Sequence, residues 1–211
     1  GVKTKEVRVI PDIESIIIET VNNLRNNFNY VFTTGGIGPT HDDITAESIS
    51  KAFNLSYEFH KDAFKILEEY YLPGEFNEGR QKMSKMPANA KLILNPSSGA
   101  PGFFVENVFC LPGVPIILQS MLGGLKYAIV GGNPTLSDTI NLKTVESEIA
   151  KSLTKIQNDN NEVEIGSYPF FKAGKVGVSI VLRSEYQKKI NECKIEILNL
   201  VSKKNIKIIE K

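Results

Sequence analysis

The chain has 211 residues, of which 41% are hydrophobic, so it is long enough for one large domain or for a domain with a smaller partner. Its 25 basic and 24 acidic residues leave a formal net charge of +1, which argues against a general attraction to nucleic acid or to an anionic membrane. Any anion-binding site must therefore be local, built from backbone amides and a few side chains.

The first part of the chain alternates between strand-like and helix-like patterns. The predicted strands are 7–10, 30–33, 91–94, 103–105 and 108–111. The predicted helices are 13–27, 44–54, 60–71, 79–86 and 115–126. This alternation is typical of an α/β domain with a parallel sheet.

A change of pattern near residues 131–134, which are rich in glycine and proline, predicts a boundary between domains 1–132 and 133–211. The predicted strands beyond it are 139–143, 163–168, 176–183 and 206–209. The predicted helices are 144–157 and 185–202. The order β-α-β-β-α-β is that of a small ferredoxin-like module.

The cysteines and the apolar stretches indicate where the protein works. Cys110 and Cys193 are far apart and form no Cys-x-x-Cys pattern, so we expect buried thiols in a reducing, cytoplasmic compartment. No stretch has the pattern of a signal peptide or of a transmembrane segment.

A glycine-rich loop lies between the predicted strand 30–33 and the predicted helix 44–54. Loops in this position lie at the carboxyl end of a parallel sheet, where ligands bind. Glycine lets the backbone approach an anion closely, successive amides form an anion-binding nest, and the next helix presents its positive N-terminus. The residues predicted to bind phosphate here are Thr34, Gly35, Gly36, Gly38 and Thr40. The alternative is a tight turn that binds no ligand.

Three acidic residues lie near this loop. The loop matches neither the dinucleotide-binding fingerprint nor the Walker A pattern, and it has no lysine of its own to offset phosphate charge. A carboxylate beside a phosphate repels it unless a cation lies between them, and Mg²⁺ commonly binds one or two carboxylates together with phosphate oxygens. We therefore predict a site for Mg²⁺, or for another divalent cation, formed by Asp43, Asp12 and Asp42.

Helix capping is an alternative role for two of these residues. Asp12 precedes the predicted helix 13–27, and Asp43 precedes the predicted helix 44–54, so both occupy favourable N-cap positions. Spacing alone favours a catalytic role no more than a capping role.

Several separated motifs resemble one known family. Residues 33–45 resemble the signature loop of the molybdopterin-binding, or molybdenum-cofactor biosynthesis, domain. The long form of the loop is similar to the competence/damage-inducible protein A branch, which includes the N-terminal domain of eukaryotic FAD synthase. Further matches follow in the same order over nearly the whole chain, at 79–87, 95–103, 111–115 and 166–169.

The resemblance implies a three-layer α/β sandwich with a mostly parallel sheet, followed by a small α+β ferredoxin-like module. It also implies a ligand site made of three loops, which adds Asn95, Pro112 and Gly113 to the predicted ligand-binding residues. In related molybdopterin adenylyltransferases the two key carboxylates stand at positions that match Asp12 and Asp43. The branch is associated with metal-dependent hydrolysis of nucleotide pyrophosphates such as ADP-ribose or FAD, so the resemblance assigns catalytic roles to both.

Two departures from the family pattern modify these expectations. Family members begin with a further strand, loop and helix before the position of Gly1, so the α/β domain is expected to lack its first strand. Ile117 stands where much of the family has Ser or Glu, which removes one polar contact from the third loop.

Three functions remain open from the sequence. The chain is a Mg²⁺-dependent nucleotide pyrophosphatase, or it binds molybdopterin or transfers an adenylyl group to it, or it is a ligand-binding module without turnover. In each case the expected partner is a small-molecule nucleotide or pterin rather than nucleic acid or a membrane. Family members often self-associate, so a homo-oligomer is expected as well.

Overall fold

The computed structural model describes residues 1–172 and 175–209. The chain divides into two compact units. The N-terminal unit is Thr4–Val130, and the C-terminal unit is Gly131–Lys211 together with Gly1–Lys3.

The N-terminal unit is a mixture of short strands and helices. Its strands are β1 (Val31–Thr34), β2 (Tyr57–Phe59), β3 (Lys85–Pro87), β4 (Lys91–Ile93), β5 (Gly102–Val105) and β6 (Val108–Leu111). Its α-helices are α1 (Glu14–Asn27), α2 (Thr45–Ala52), α3 (Lys61–Tyr70), α4 (Glu78–Lys82) and α5 (Pro115–Leu122). A 3₁₀-helix at Gly123–Tyr127 continues α5, where the sequence predicted α-helix as far as residue 126.

The main sheet has the strand order β1-β6-β5-β4 and is mixed. β1 and β6 run parallel, whereas β6 with β5 and β5 with β4 run antiparallel, so the described strands combine a parallel pair with an antiparallel extension. The reason lies in the connection between β5 and β6. Only Glu106 and Asn107 join them, with Glu106 at a φ of 50°, and a two-residue turn can join only antiparallel neighbours.

Helices cover both faces of this sheet, which confirms the three-layer α/β architecture. Side chains alternate along β6, so Val108 and Cys110 belong to a core cluster with residues of α1 and α2. Phe109 and Leu111 face the other way, into a second cluster with Met121 of α5. Burial on both faces explains why β6 is apolar at every position.

Residues 7–10 form no strand, contrary to the prediction. They are assigned no regular structure, and the Val7 and Val9 residues are 78% and 97% exposed. A strand needs a neighbour for its backbone hydrogen bonds, and among the described residues β1 pairs only with β6. The alternation of valine with charged residues favours extended backbone locally, but no neighbouring strand among the described residues pairs with this segment.

The predicted helix 79–86 ends early, and its last residues form a strand. α4 stops at Lys82, and β3 pairs with β2, a strand that the sequence analysis missed. Pro87 disfavours helical geometry at the residue before it, which places Met86 in extended backbone. The two strands of this pair have three residues each, too few to show an alternating pattern.

The C-terminal unit confirms the predicted ferredoxin-like module. Its elements are β7 (Leu136–Lys143), α6 (Glu146–Asp159), β8 (Glu164–Lys172), β9 (Lys175–Ser184), α7 (Gln187–Lys203) and β10 (Lys207–Ile208). The sheet order is β10-β7-β9-β8, and each pair is antiparallel. Apolar side chains of α6 and α7 cover one face of this sheet and form its core.

Among the described residues, no helix combines the length and the apolar character that a membrane span requires.

Candidate functional site

Two of the predicted loops meet at the carboxyl ends of parallel strands. Thr34 ends β1 opposite Leu111, which ends β6, and the Gly35 amide donates to the Leu111 carbonyl over 2.9 Å. A Cβ atom on Gly113 would lie 3.3 Å from the Gly35 Cα. The structure therefore brings together Thr34, the glycine loop and the Pro112–Gly113 loop, at the sheet edge where ligands bind in α/β folds.

The packing of the loop accounts for its glycines. Gly35 and Gly36 have φ values of 98° and 68°, which side chains strongly disfavour. A Cβ on Gly36 would lie 2.0 Å from the Thr45 hydroxyl oxygen, and one on Gly38 would lie 2.7 Å from Oδ2 of Asp43. The glycines of the loop thus pack closely against Asp43 and Thr45, which follow in the chain. This packing requires glycine whether or not a ligand is bound.

Three consecutive amides in this loop have no intramolecular partner. The N–H groups of Gly36, Ile37 and Gly38 donate to no acceptor among the described residues, and all three residues are half-buried. Most backbone amides at such depth are paired with protein or water. Free, adjacent amides on a glycine backbone are the donors that an anion-binding nest supplies.

The Asp43 carboxylate turns back onto the loop. Its Oδ2 accepts hydrogen bonds from the Thr40 backbone N–H at 2.9 Å and from the Thr40 hydroxyl. The N-cap of α2 is Ile44, without a side-chain cap, so the capping alternative for Asp43 is wrong. Oδ1 of Asp43 has no hydrogen-bond partner within the described ranges. Thr40, predicted to bind the ligand, instead uses both of its donors to orient this carboxylate.

Asp42 and Asp12 are both exposed. The nearby Thr40 side chain and, next, the backbone amide of Asp42 itself hold the pKa of the Asp42 carboxyl below its usual value, so this group is ionised at neutral pH. Ile13 is the N-cap of α1 and makes no side-chain cap, so Asp12 does not cap that helix. In the part of the chain that the structure describes, no group of three or more His, Cys, Asp or Glu side chains is placed to hold a metal ion. The predicted assembly of Asp12 with Asp42 and Asp43 therefore stays a prediction.

Asn95 organises the second predicted loop from within. Its side-chain oxygen accepts from the amides of Ser97 and Ser98, at 2.9 and 3.1 Å, and its Nδ2 donates to the Ser98 hydroxyl and to the Ala100 carbonyl. Four bonds use the full capacity of this amide group. Asn95 thus shapes the loop, and a direct contact with a ligand would require it to give up one of these bonds.

Ile117, where the resemblance led us to expect a polar residue, packs against the apolar cluster of Met121 and Leu125. The two cysteines are buried. Burial raises the pKa of the Cys110 thiol to about 12 and that of Cys193 to about 11, so neither supplies a thiolate at neutral pH.

Lys82 is a residue of this site that no sequence pattern indicated. This residue ends α4, and its ammonium group hydrogen-bonds to the carbonyl oxygens of Thr40 and Asp43, the latter at 3.1 Å. Its contact with Thr40 spans 42 positions of the chain. The segment 79–83 belongs to the family resemblance, but no local pattern connects it with the loop.

Comparison with known proteins agrees with this architecture. Residues 1–130 match the family described as "Probable molybdopterin binding domain", and residues 134–209 match "FAD synthase, middle domain". A protein of Archaeoglobus fulgidus is 34% identical over 169 residues, which are 80% of this chain and 72% of that protein. A "Putative competence-damage inducible protein" of Clostridium botulinum is 27% identical over 90% of this chain, which spans 48% of that relative's length.

A solved structure adds to these matches. The protein CinA from Thermoplasma acidophilum superimposes with a TM-score of 0.53 at 28% identity, covering 56% of this chain and 73% of that one. The first family match alone spans more than half of the chain, and it includes each of the three loops described above. The chain therefore belongs to the molybdopterin-binding-domain family, in the branch that contains competence-damage inducible proteins.

Proposed function

We propose that the N-terminal unit binds a phosphorylated nucleotide or pterin at the glycine loop, and that it hydrolyses a nucleotide pyrophosphate of the ADP-ribose or FAD type in the presence of Mg²⁺. The observation that carries this proposal is the run of free amides at Gly36, Ile37 and Gly38. Gly35, which directly precedes them, lies against Gly113 of the neighbouring loop, and phosphate oxygens bound here could accept hydrogen bonds from these amides.

The acidic residues that follow the loop fit a hard divalent cation. Asp42 is ionised and exposed, and Asp43 keeps Oδ1 free while Thr40 holds its Oδ2 in place. Two adjacent carboxylates completed by phosphate oxygens are a usual donor set for Mg²⁺. A bound Mg²⁺ would polarise the phosphate and lower the pKa of a coordinated water. The chain itself would position the pyrophosphate through the loop amides, so no nucleophilic side chain is needed.

The test is release of AMP from ADP-ribose and from FAD, with Mg²⁺ and with EDTA. We expect release that depends on the metal and that falls by about a hundredfold or more in Asp43→Ala, because a ligand to the metal is lost. Asp159→Ala is the matched control, since it also removes one carboxylate but lies at the exposed end of α6. Absence of release from the wild-type protein with Mg²⁺ would reject hydrolysis of these substrates.

A second function is supported by the family match of residues 1–130, which is described by molybdopterin rather than by nucleotide binding. In that case the same loop would bind the pterin phosphate, and the chain would adenylylate it. Incubation with molybdopterin and ATP separates the two functions, because adenylylation forms a pterin dinucleotide and pyrophosphate instead of AMP. Tight binding of either compound without any product would indicate a non-catalytic ligand-binding module.

A further inference from the structure

Lys82 places a positive charge against a loop whose own sequence has no cationic residue between Thr34 and Thr40. Its ammonium group donates to the carbonyls of Thr40 and Asp43. Within the described ranges it is in no salt bridge, but it lies near enough to Asp42 for its charge to contribute, after the Thr40 side chain, the Asp42 amide and His41, to the lowered pKa of that carboxyl. An ammonium group has three donors, and two of them are used. One N–H of Lys82 is therefore available to a ligand at the loop.

The helix that carries Lys82 is fitted to the loop at a second point. A Cβ atom on Gly79 would lie 3.4 Å from the Pro39 carbonyl oxygen and 3.7 Å from the Pro39 Cβ, so α4 approaches the loop closely along its first turn. Asn77 caps this turn by accepting from the Arg80 amide at 3.0 Å. α4 is thus fixed where its last residue, Lys82, reaches the loop.

Charge balance argues that this lysine does more than support the loop. Lys82 is half-buried, and burying an ammonium group costs free energy that a carboxylate or an anionic ligand would offset better than two carbonyls do. The Asp43 carboxylate lies against Gly38, and Asp42 adds a second negative charge at the next position of the chain. These charges oppose the approach of a phosphate. An adjacent cation from the protein reduces this repulsion.

We propose that Lys82 is the cationic phosphate-binding residue of this site, donating from its free N–H to the pyrophosphate while its two other bonds hold the loop. This inference rests on the proposed function, because it assumes that the glycine loop binds phosphate. It assigns to a residue of α4 the charge that a phosphate loop commonly draws from its own lysine.

The experiment measures binding of the methylene-bridged analogue of ADP-ribose, which cannot be hydrolysed at its P–C–P linkage, by calorimetry in Mg²⁺ at low and high salt. The variants are Lys82→Met, Lys82→Arg and Lys65→Met. Lys65→Met is the matched control because it removes the same charge from an exposed side chain of α3, which pairs with Glu69 of the same helix. We expect about ten- to a hundredfold weaker binding in Lys82→Met, the loss typical of one charge-assisted hydrogen bond. Lys82→Arg should recover part of it, and Lys65→Met should bind as the wild type does.

The salt dependence separates a charge contact from a purely structural role. Binding to Lys82→Met should weaken less with rising salt than binding to the wild type, because one attractive charge is gone. If Lys82 only supports the loop, the affinity falls while the salt dependence stays that of the wild type, and the proposal is overturned. Wild-type affinity in Lys82→Met overturns it as well while leaving the proposed function intact. Failure of the wild-type protein to bind the analogue rejects both.

A measurement on the unmodified protein covers the case in which Lys82→Met does not fold. Lysine acetylation followed by mass spectrometry reports the reactivity of each amine with and without the analogue. Saturating analogue should slow the labelling of Lys82 and leave that of Lys65 unchanged. Equal labelling of Lys82 in both conditions would show that its ammonium does not contact the ligand.

Discussion

The two units of this chain use their residues differently. In the main sheet of the N-terminal unit no strand exceeds four residues, whereas β7, β8 and β9 of the C-terminal unit have 8, 9 and 10. Among the described residues, each position with positive φ except Asn205 lies in the N-terminal unit. Many functional candidates of this unit therefore lie in the connections between its elements. The free amides and the acidic residues belong to these connections, and Lys82 ends the short helix α4.

This difference predicts that substitutions in the two units have different main effects, on stability in one and on ligand binding in the other. In the C-terminal unit long paired strands and two amphipathic helices share one core, so a core substitution should act on stability. In the N-terminal unit a substitution in a connection should act on ligand binding, with a change of stability only where the connection is packed.

The largest change in stability is expected for Leu182→Ala in β9. Leu182 is fully buried in the C-terminal core, and a Leu→Ala change at such a site costs about 3–5 kcal/mol through lost burial and a residual cavity. Denaturant unfolding measures this cost, with Ile195→Ala on the exposed face of α7 as the control. Affinity for the ADP-ribose analogue, measured where the protein is folded, should not change. Loss of binding in folded Leu182→Ala would contradict the prediction that core substitutions in the C-terminal unit change stability and leave ligand affinity unchanged.

Gly36→Ala should affect both stability and binding. The new Cβ would be forced into a positive φ and would clash with the Thr45 side chain, at a cost of about 2–4 kcal/mol in unfolding. Moving the loop to relieve this clash would displace the adjacent free amides, so we expect binding of the analogue to be lost. Gly124→Ala is the control, because among the described residues an added Cβ would meet nothing within 4 Å beyond the backbone next to it, and its φ is not positive. Equal binding by the two variants would argue against the loop as the ligand site.

The smallest effect is expected for the ion pair of Asp138 and Lys194 in the C-terminal unit. The hydrogen bond from Lys194, 2.8 Å long, holds the pKa of the Asp138 carboxyl below its usual value. A depressed pKa adds stability above the pKa of the unfolded chain, and this stability is lost as the pH falls through the folded-state pKa. Both side chains are about one-third exposed, so Asp138→Asn should cost less than about 1 kcal/mol at pH 7. Unfolding measured at pH 7 and at a pH below the folded-state pKa of Asp138 should show a difference from the wild type at pH 7 only.

The fold was largely predictable where local patterns are long. α1, α6 and α7 appear within two residues of their predicted bounds, because each has an apolar stripe over several turns. β2 and β3, of three residues each, were missed or assigned to a helix because so short a segment shows no periodicity. Residues 7–10 show the opposite error, a strand-like pattern without a partner strand.

The sequence predicted the position of the loop that forms the candidate site, but it did not predict the contacts of the side chains around that loop. The glycine loop was found because strand, glycines and helix follow one another directly in the sequence. Asp43 was identified as well, but its orientation toward Thr40 was not, since a capping role fits the same spacing. Lys82 was missed because its contact depends on how α4 packs against the loop, which no local pattern expresses.

The sequence alone determined the long helices α1, α6 and α7, the glycine loop between β1 and α2, and the β-α-β-β-α-β order of the second unit. These features depend on residues within a few positions of one another, through helical periodicity, turn preference and the conformational freedom of glycine. Only the tertiary structure decided that β1 pairs with β6, that Gly35 lies against Gly113, and that Lys82 reaches the loop. Such contacts join segments tens of residues apart, and they follow from how whole helices and strands fill a common core.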